Sequence, residues 1–189
     1  MKGFGPTATT SAHRSEVVMR TLVIESPHSA LIERCAMRYD LPPVLVAGII
    51  EVESGGDTWA VRYEEGFYDR YVRIAEPFTV IPCTKATERR LCATSFGLMQ
   101  VMGQVARERG FKGPFLTQLC DPELGIEYGC RHLAWTAKRL AAKRITGYAA
   151  LCAAYNGGVG AVFNDGRVSN PEYPAKVRTA LGGSWDVLT

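Results

Sequence analysis

The stretch Leu41-Pro42-Pro43-Val44-Leu45-Val46-Ala47-Gly48-Ile49-Ile50-Glu51-Val52-Glu53-Ser54-Gly55-Gly56 reads as an apolar helix that runs out into a glycine turn. Tandem prolines suit a helix start, where the missing N–H is not needed, and a glycine pair suits the C-terminal cap. On a helix over residues 43–53, Val46, Ile49, Ile50 and Glu53 share one face by their i, i+3, i+4, i+7 spacing. Glu51 lies about 200° away from Glu53 and meets water. A carboxyl at the end of an apolar face is partly desolvated, which raises its pKa and lets it hold a proton near neutral pH. That is what a general acid requires. Taken alone, the segment is equally compatible with a solvated glutamate in a C-terminal turn.

Working outward, residues 29–39 read as a first helix with Leu31, Ile32, Cys35 and Ala36 on one side. Residues 58–94 break the helical rhythm and read as a long irregular insertion with short strands or a helical turn. A third helix is expected from about Ser95 through Arg109, with Leu98, Met99, Met102 and Ala106 as its apolar stripe and Gly110 as its stop. Asp121-Pro122-Glu123 is a strong helix start, and the helix is expected to run to about residue 144, burying Ile126, Cys130 and Leu133. Short helices follow over residues 147–156 and 172–181, each ended by a glycine pair. The pattern is mainly α, with no internal repeat.

The 189 residues suit one domain with a real core, and 47% hydrophobic against 22% charged residues argues against overall disorder. A net charge of +3 is a mild bias. No basic cluster with interleaved aromatics occurs, so nucleic acid is not an expected partner. The longest apolar run, Val44 to Ile50, is far too short for stable membrane insertion. Residues 1–28 are read as a flexible leading segment, and the first fourteen, rich in Gly, Thr and Ser, hold no signal-peptide core. Export would then use another route or a leader outside this chain.

Six cysteines are many for this length, and no CxxC pair occurs among them. With three histidines, of which only His132 lies near a cysteine (Cys130), the usual zinc spacings are absent and no metal is expected. Cys83 and Cys92 bracket a polar, charged segment where a staple would help, so a disulfide is expected there. Cys35, Cys130 and Cys152 fall on apolar helix faces, where a buried thiol is at least as good a reading as a bridge. Cys120 is open to either.

Three separated segments line up with one family. Glu53-Ser54-Gly55-Gly56, Gly97-Leu98-Met99-Gln100 and Ala154-Tyr155-Asn156-Gly157-Gly158 resemble, in order, the Glu-Ser, Gly-Leu-Met-Gln and Ala-Tyr-Asn motifs of the soluble lytic transglycosylase catalytic domain. Each motif is weak alone, and the three in order are strong. The resemblance covers roughly residues 29–181 and implies a goose-type-lysozyme-like fold over residues 29–189. It implies that Glu53 is catalytic and that Ser54, Gly97, Met99, Gln100, Tyr155 and Asn156 bind substrate. Glu172-Tyr173-Pro174-Ala175-Lys176-Val177 is similar to the family's tyrosine-valine segment, whose tyrosine points at the catalytic glutamate, although Pro174 stands where valine is common.

The same residues have physical readings. Gly97 would let a backbone or sugar approach closely. Met99 offers an apolar floor or plain core packing, and Gln100 an amide for sugar hydroxyls or N-acetyl groups. Tyr155 offers an aromatic face with a polar tip, and Asn156 an amide that also suits a helix C-cap. Two departures stand out. Arg62 occupies the place, nine residues after the glutamate, where the family often has serine, and the stretch up to Gly97 is much longer than in the shortest members. Ser95 is expected to bring a hydroxyl near Glu53 from the far side of the insertion. Arg62, Tyr63, Glu64 and Glu65 read either as a cleft wall or as a solvated charged loop.

The resemblance implies cleavage of the β-1,4 bond between N-acetylmuramic acid and N-acetylglucosamine in peptidoglycan strands, with 1,6-anhydro ends and no cofactor. A hydrolytic muramidase of the same fold is the alternative, with Asp57, Asp69, Glu64 or Glu65 as base. From another class comes a non-catalytic glycan-binding or structural module of a phage particle or secretion apparatus. The expected location is the periplasm, the cell wall or outside the cell, a virion included.

Overall fold

A computed structural model describes residues 26–75 and 82–188. The leading segment therefore falls outside the described residues up to position 25. Pro43 opens helix α2 (Pro43–Ser54), as its ring pre-sets the first helical φ, and Gly55 closes it at φ 59°, a conformation glycine adopts without penalty. Before it comes α1 (Ser29–Arg38). The Asp121 carboxylate caps the long helix α5 (Pro122–Ala142) by accepting from the Leu124 amide at 3.1 Å, with Pro122 at the first position. Helices α6 (Tyr148–Gly157) and α7 (Glu172–Ala180) follow. Helix α5 packs on α1 and α6, while α7 packs on both α2 and α6. Ile32, Leu45, Ile49, Ile126, Leu133 and Leu181 are fully buried among them. Among the described residues, no helix is long and apolar enough to cross a membrane.

The insertion and its neighbours form a smaller flank. Strands β1 (Val61–Tyr63), β2 (Thr94–Phe96) and β3 (Val101–Met102) make an antiparallel sheet in that order, with Arg62 opposite Ser95 and Ser95 opposite Met102. Short helical turns over Glu65–Phe67 and Tyr68–Val72 follow β1, the second a π turn. Helices α3 (Lys85–Cys92) and α4 (Gly103–Glu108) flank β2 and β3.

Two expectations are corrected here. The helix expected from Ser95 is instead strand, turn and strand, and helix resumes only at Gly103. Gly97 at φ 70° and Gln100 at φ 46° are both left-handed, so a right-handed helix cannot pass through them. Leu98, Met99 and Ala106 are nevertheless buried, as their apolar character required. The segment between Cys83 and Cys92, expected to be irregular like the rest of the insertion, is instead helix α3, whose first turn is capped by Thr84 Oγ1 accepting from the Thr87 amide at 3.1 Å.

The expected Cys83–Cys92 disulfide is absent, and every one of the six cysteines is a free thiol. Glu88 takes the place of the bridge. Its two carboxylate oxygens accept from Cys83 Sγ and from Cys92 Sγ, each at 3.9 Å. The same carboxylate accepts from Arg107 Nε at 2.8 Å, and Arg107 Nη1 reaches the Phe111 and Gly113 carbonyls at 3.0 and 2.7 Å. This buried pair ties the insertion to α4 in the way a staple was expected to.

The cysteines yield a direct test. Burial pushes the Cys92, Cys130 and Cys152 thiols well up, the first and last to about 12, so they are poor nucleophiles in the folded protein. Thiol titration of protein purified without reductant should count six reactive groups after denaturation and far fewer before it. A count of four in the denatured state would show that a bridge forms after all.

Candidate active site

Glu53 occupies the last turn of α2, one residue before the helix closes. Its carboxyl is half-buried, and Oε1 accepts a 2.7 Å hydrogen bond from the Tyr173 phenol of α7. Burial raises its pKa above the ordinary value, while the Tyr173 hydrogen bond and the Arg62 charge pull the other way. Burial prevails. Tyr173 itself is pushed far up by burial and by the Glu53 charge, so it remains a protonated donor throughout the biological range.

Glu53 opens on a cleft of about 580 Å³. One wall comes from the sheet and insertion: Arg62, Glu64, Phe67, Arg70, Tyr71 and Ser95. Strand alternation explains the first of these, because Arg62 lies between Val61 and Tyr63 in β1 and points to the opposite face from both, and Glu64 follows directly after the strand. Arg62 Nε pairs with Glu64 Oε1 at 2.5 Å. Further lining comes from α5 and α6, with His132, Tyr155 and Asn156, and from Gln100 just before β3.

The site residues expected from the sequence divide into two groups. Glu53, Ser95, Gln100, Tyr155 and Asn156 line the cleft, and Tyr173 touches Glu53. Ser54, Gly97 and Met99 do not line it. Ser54 Oγ donates to the Leu98 carbonyl at 2.8 Å and accepts from the Gly56 amide, which anchors the end of α2 to the following turn. A Cβ on Gly97 would stand 2.4 Å from the Leu119 carbonyl, so it is protein, not sugar, that needs the missing side chain. Met99 is fully buried and packs on Gly129, whose missing Cβ would lie 2.3 Å from Met99 Sδ. Its reading as core packing is the one the fold supports.

Even the lining residues are partly committed to the protein. Tyr155 Oη donates to the Met99 carbonyl at 2.8 Å. Gln100 Nε2 donates to the Ala60 and Gly97 carbonyls at 2.9 and 3.0 Å, which leaves its Oε1 as acceptor. Asn156 Oδ1 accepts from Asn170 Nδ2 at 2.9 Å, which leaves its own amide as donor.

Sequence reasoning missed Phe67, Arg70, Tyr71 and His132. The aromatic pair joins Phe67, at the end of one short helical turn, to Tyr71 in the π turn that follows, and no periodicity announces either. His132 had a signal, since it falls on the stripe of α5 that also carries Gly129, Leu133 and Thr136. Among the described residues, no group of three or more His, Cys, Asp and Glu side chains is placed to hold a metal ion.

Comparison with known proteins bears on the family and the fold. Over residues 30–174 the chain matches the family model described as the transglycosylase SLT domain. Among solved structures it is similar to an inactive mutant of the lytic transglycosylase Slt from Pseudomonas aeruginosa, with a TM-score of 0.54 at 17% sequence identity. That likeness is one of fold; it covers 89% of this chain and 27% of the other. A search of curated protein sequences found no match. One family match thus spans Glu53, the turn at Gly97–Gln100, Tyr155 and Tyr173, and the chain belongs to the transglycosylase SLT domain family.

Proposed function

We propose that the protein is a peptidoglycan lytic transglycosylase that cleaves the β-1,4 bond between N-acetylmuramic acid and N-acetylglucosamine. The observation that carries this reading is the placement of Glu53: a half-buried carboxyl with a raised pKa, held by Tyr173 in the lining of a cleft. Protonated, it donates to the glycosidic oxygen as the C–O bond breaks. The charge developing at the sugar carbon is relieved by the substrate's own N-acetyl group, an exception to the two-carboxylate scheme. The resulting Glu53 carboxylate then takes the proton of the C6 hydroxyl, whose oxygen closes the 1,6-anhydro ring. The proton given is regained, and no water is consumed.

The placement of the other carboxylates supports this over hydrolysis. Of the four weighed as a base for water, Glu64 alone lines the cleft, and it is paired with Arg62. Asp57 Oδ1 accepts from the Trp59 amide at 2.8 Å, and Asp69 faces Arg73 at 3.9 Å. The proposal carries a place of action with it, wherever glycan strands are reached: the periplasm and cell wall, or outside the cell.

Mass spectrometry of soluble products from purified peptidoglycan tests the chemistry. Anhydro ends are expected, whereas products heavier by one water, about 18 Da, would establish a muramidase. Glu53→Gln should keep the fold and lower turnover by about a hundredfold or more, as expected for loss of a general acid. Half the wild-type rate in that variant would end the assignment.

The raised pKa also links the site to stability. Below the ordinary carboxyl value of 4.5, Glu53 is protonated whether the chain is folded or not, and nothing is lost. As pH rises past it, the unfolded chain releases the proton first, so folding stability falls until the folded pKa is passed. An uncharged amide in place of the carboxyl carries no such penalty. Urea titrations should therefore find Glu53→Gln more stable than wild type at neutral pH, with the gap shrinking as pH falls below 4.5. An equal gap at both pH values would mean that Glu53 is not desolvated.

A further inference from the structure

The polar groups of the cleft differ in whether the protein already uses them. Tyr155 Oη, Gln100 Nε2 and Asn156 Oδ1 are engaged, and Arg62 is paired. His132 on α5 is different. It lines the cleft, its Nδ1 is sealed from solvent with no hydrogen-bond partner, and the mechanism above makes no use of it.

The ring is firmly held. It stacks on Trp135 at 5.9 Å with planes 19° apart, and meets Tyr155 at 5.4 Å on another side. Trp135 is in turn covered by the Arg109 guanidinium, 3.7 Å from its ring centre. Burial, helped by the Arg109 charge, pushes the imidazole pKa down to about 4, so the ring is neutral near pH 7. A neutral imidazole has one N–H and one lone pair. On Nδ1 the proton would be a buried donor with no acceptor, the rarer and costlier kind of orphan. Assigned from this inventory of partners, the proton belongs on Nε2, at the edge that opens on the cleft.

A ring of this kind cannot pair with an anion as a cation would, and no cluster among the described residues would share a metal with it. It can donate one directed hydrogen bond. Tyr155, which touches His132 on one side, feels the Glu53 charge, so the donor and the acid serve one cleft. Packing alone would favour an apolar side chain here, since phenylalanine or leucine would leave no polar atom unsatisfied.

We propose that His132 is a substrate-binding residue whose Nε2–H donates to an uncharged acceptor oxygen of a bound sugar, a hydroxyl or an acetamido carbonyl, on the Tyr155 side of the cleft. This rests on the glycan substrate proposed above. Glycan binding and stability are then opposed at this position, a signature that a residue serving packing alone would not give.

The test is equilibrium binding of soluble peptidoglycan strands to Glu53→Gln protein, in which bound glycan is not consumed. Adding His132→Phe should weaken binding about three- to tenfold, the range for one neutral hydrogen bond, while the urea midpoint stays level or rises. His132→Gln, which can present an amide donor at similar reach, should recover most of that loss. Phe binding as tightly as the parent, or Gln as weakly as Phe, would overturn the proposal. If the Phe variant does not fold, His132→Leu carries the same two expectations. A Glu53→Gln parent that binds no strands would overturn the glycan substrate and this inference with it. Water-containing products alongside the expected binding pattern would overturn only the transglycosylase chemistry.

Discussion

The Leu119 carbonyl presses on Gly97 so closely that no side chain fits between them, and the geometry of the cleft follows from that contact. The turn Gly97-Leu98-Met99-Gln100 is where the parts of the protein meet. The Gly97 amide donates to the Ala60 carbonyl next to β1. Leu98 receives Ser54 from the end of α2, and Met99 receives Tyr155 from α6 while its side chain lies on Gly129 of α5. Gln100 turns its amide back onto Ala60 and Gly97. Four elements are thereby fixed relative to the carboxyl of Glu53, and none of them depends on a covalent cross-link. Residues that a motif suggests for sugar binding spend much of their bonding capacity on building the cleft itself.

The legibility of the fold followed local chemistry. Helix ends marked by proline, aspartate and glycine fell within a few residues of their expected places at α1, α2, α5, α6 and α7, because capping is decided by neighbours in sequence. The stretch from Ser95 to Met102 was misread because its apolar residues satisfy either period, and nothing local reveals that Gln100 adopts a left-handed conformation. Helix α3 was hidden by its charges. Glu88 and Arg107, nineteen positions apart, are buried against each other, a fact of tertiary structure alone.

The site was legible to a different depth. The helix pattern around Glu53 raised it as an acid, but equally allowed a solvated carboxylate; the decisive partner, Tyr173, lies 120 positions away and came only from the resemblance. Its hydrogen bond and the Arg62 charge both favour the ionised carboxyl, against burial, which favours the neutral one. A group that must give a proton and then take one back is well served by partners that favour each state in turn.

The Glu88–Arg107 pair has a consequence for how the sequence can change over time. Their side chains are 0% and 4% exposed, and removing either would strand a buried charge at about 3–5 kcal/mol, a large share of the stability of a domain this size. Replacing both with apolar side chains together can be nearly neutral. A lineage carrying this pair is therefore separated from its apolar equivalent by an intermediate weakened by that amount. Since Glu88 belongs to the insertion and Arg107 to the helix beyond the turn, the insertion is held by an evolutionary ratchet: any deletion that removes Glu88 leaves Arg107 without its counter-charge.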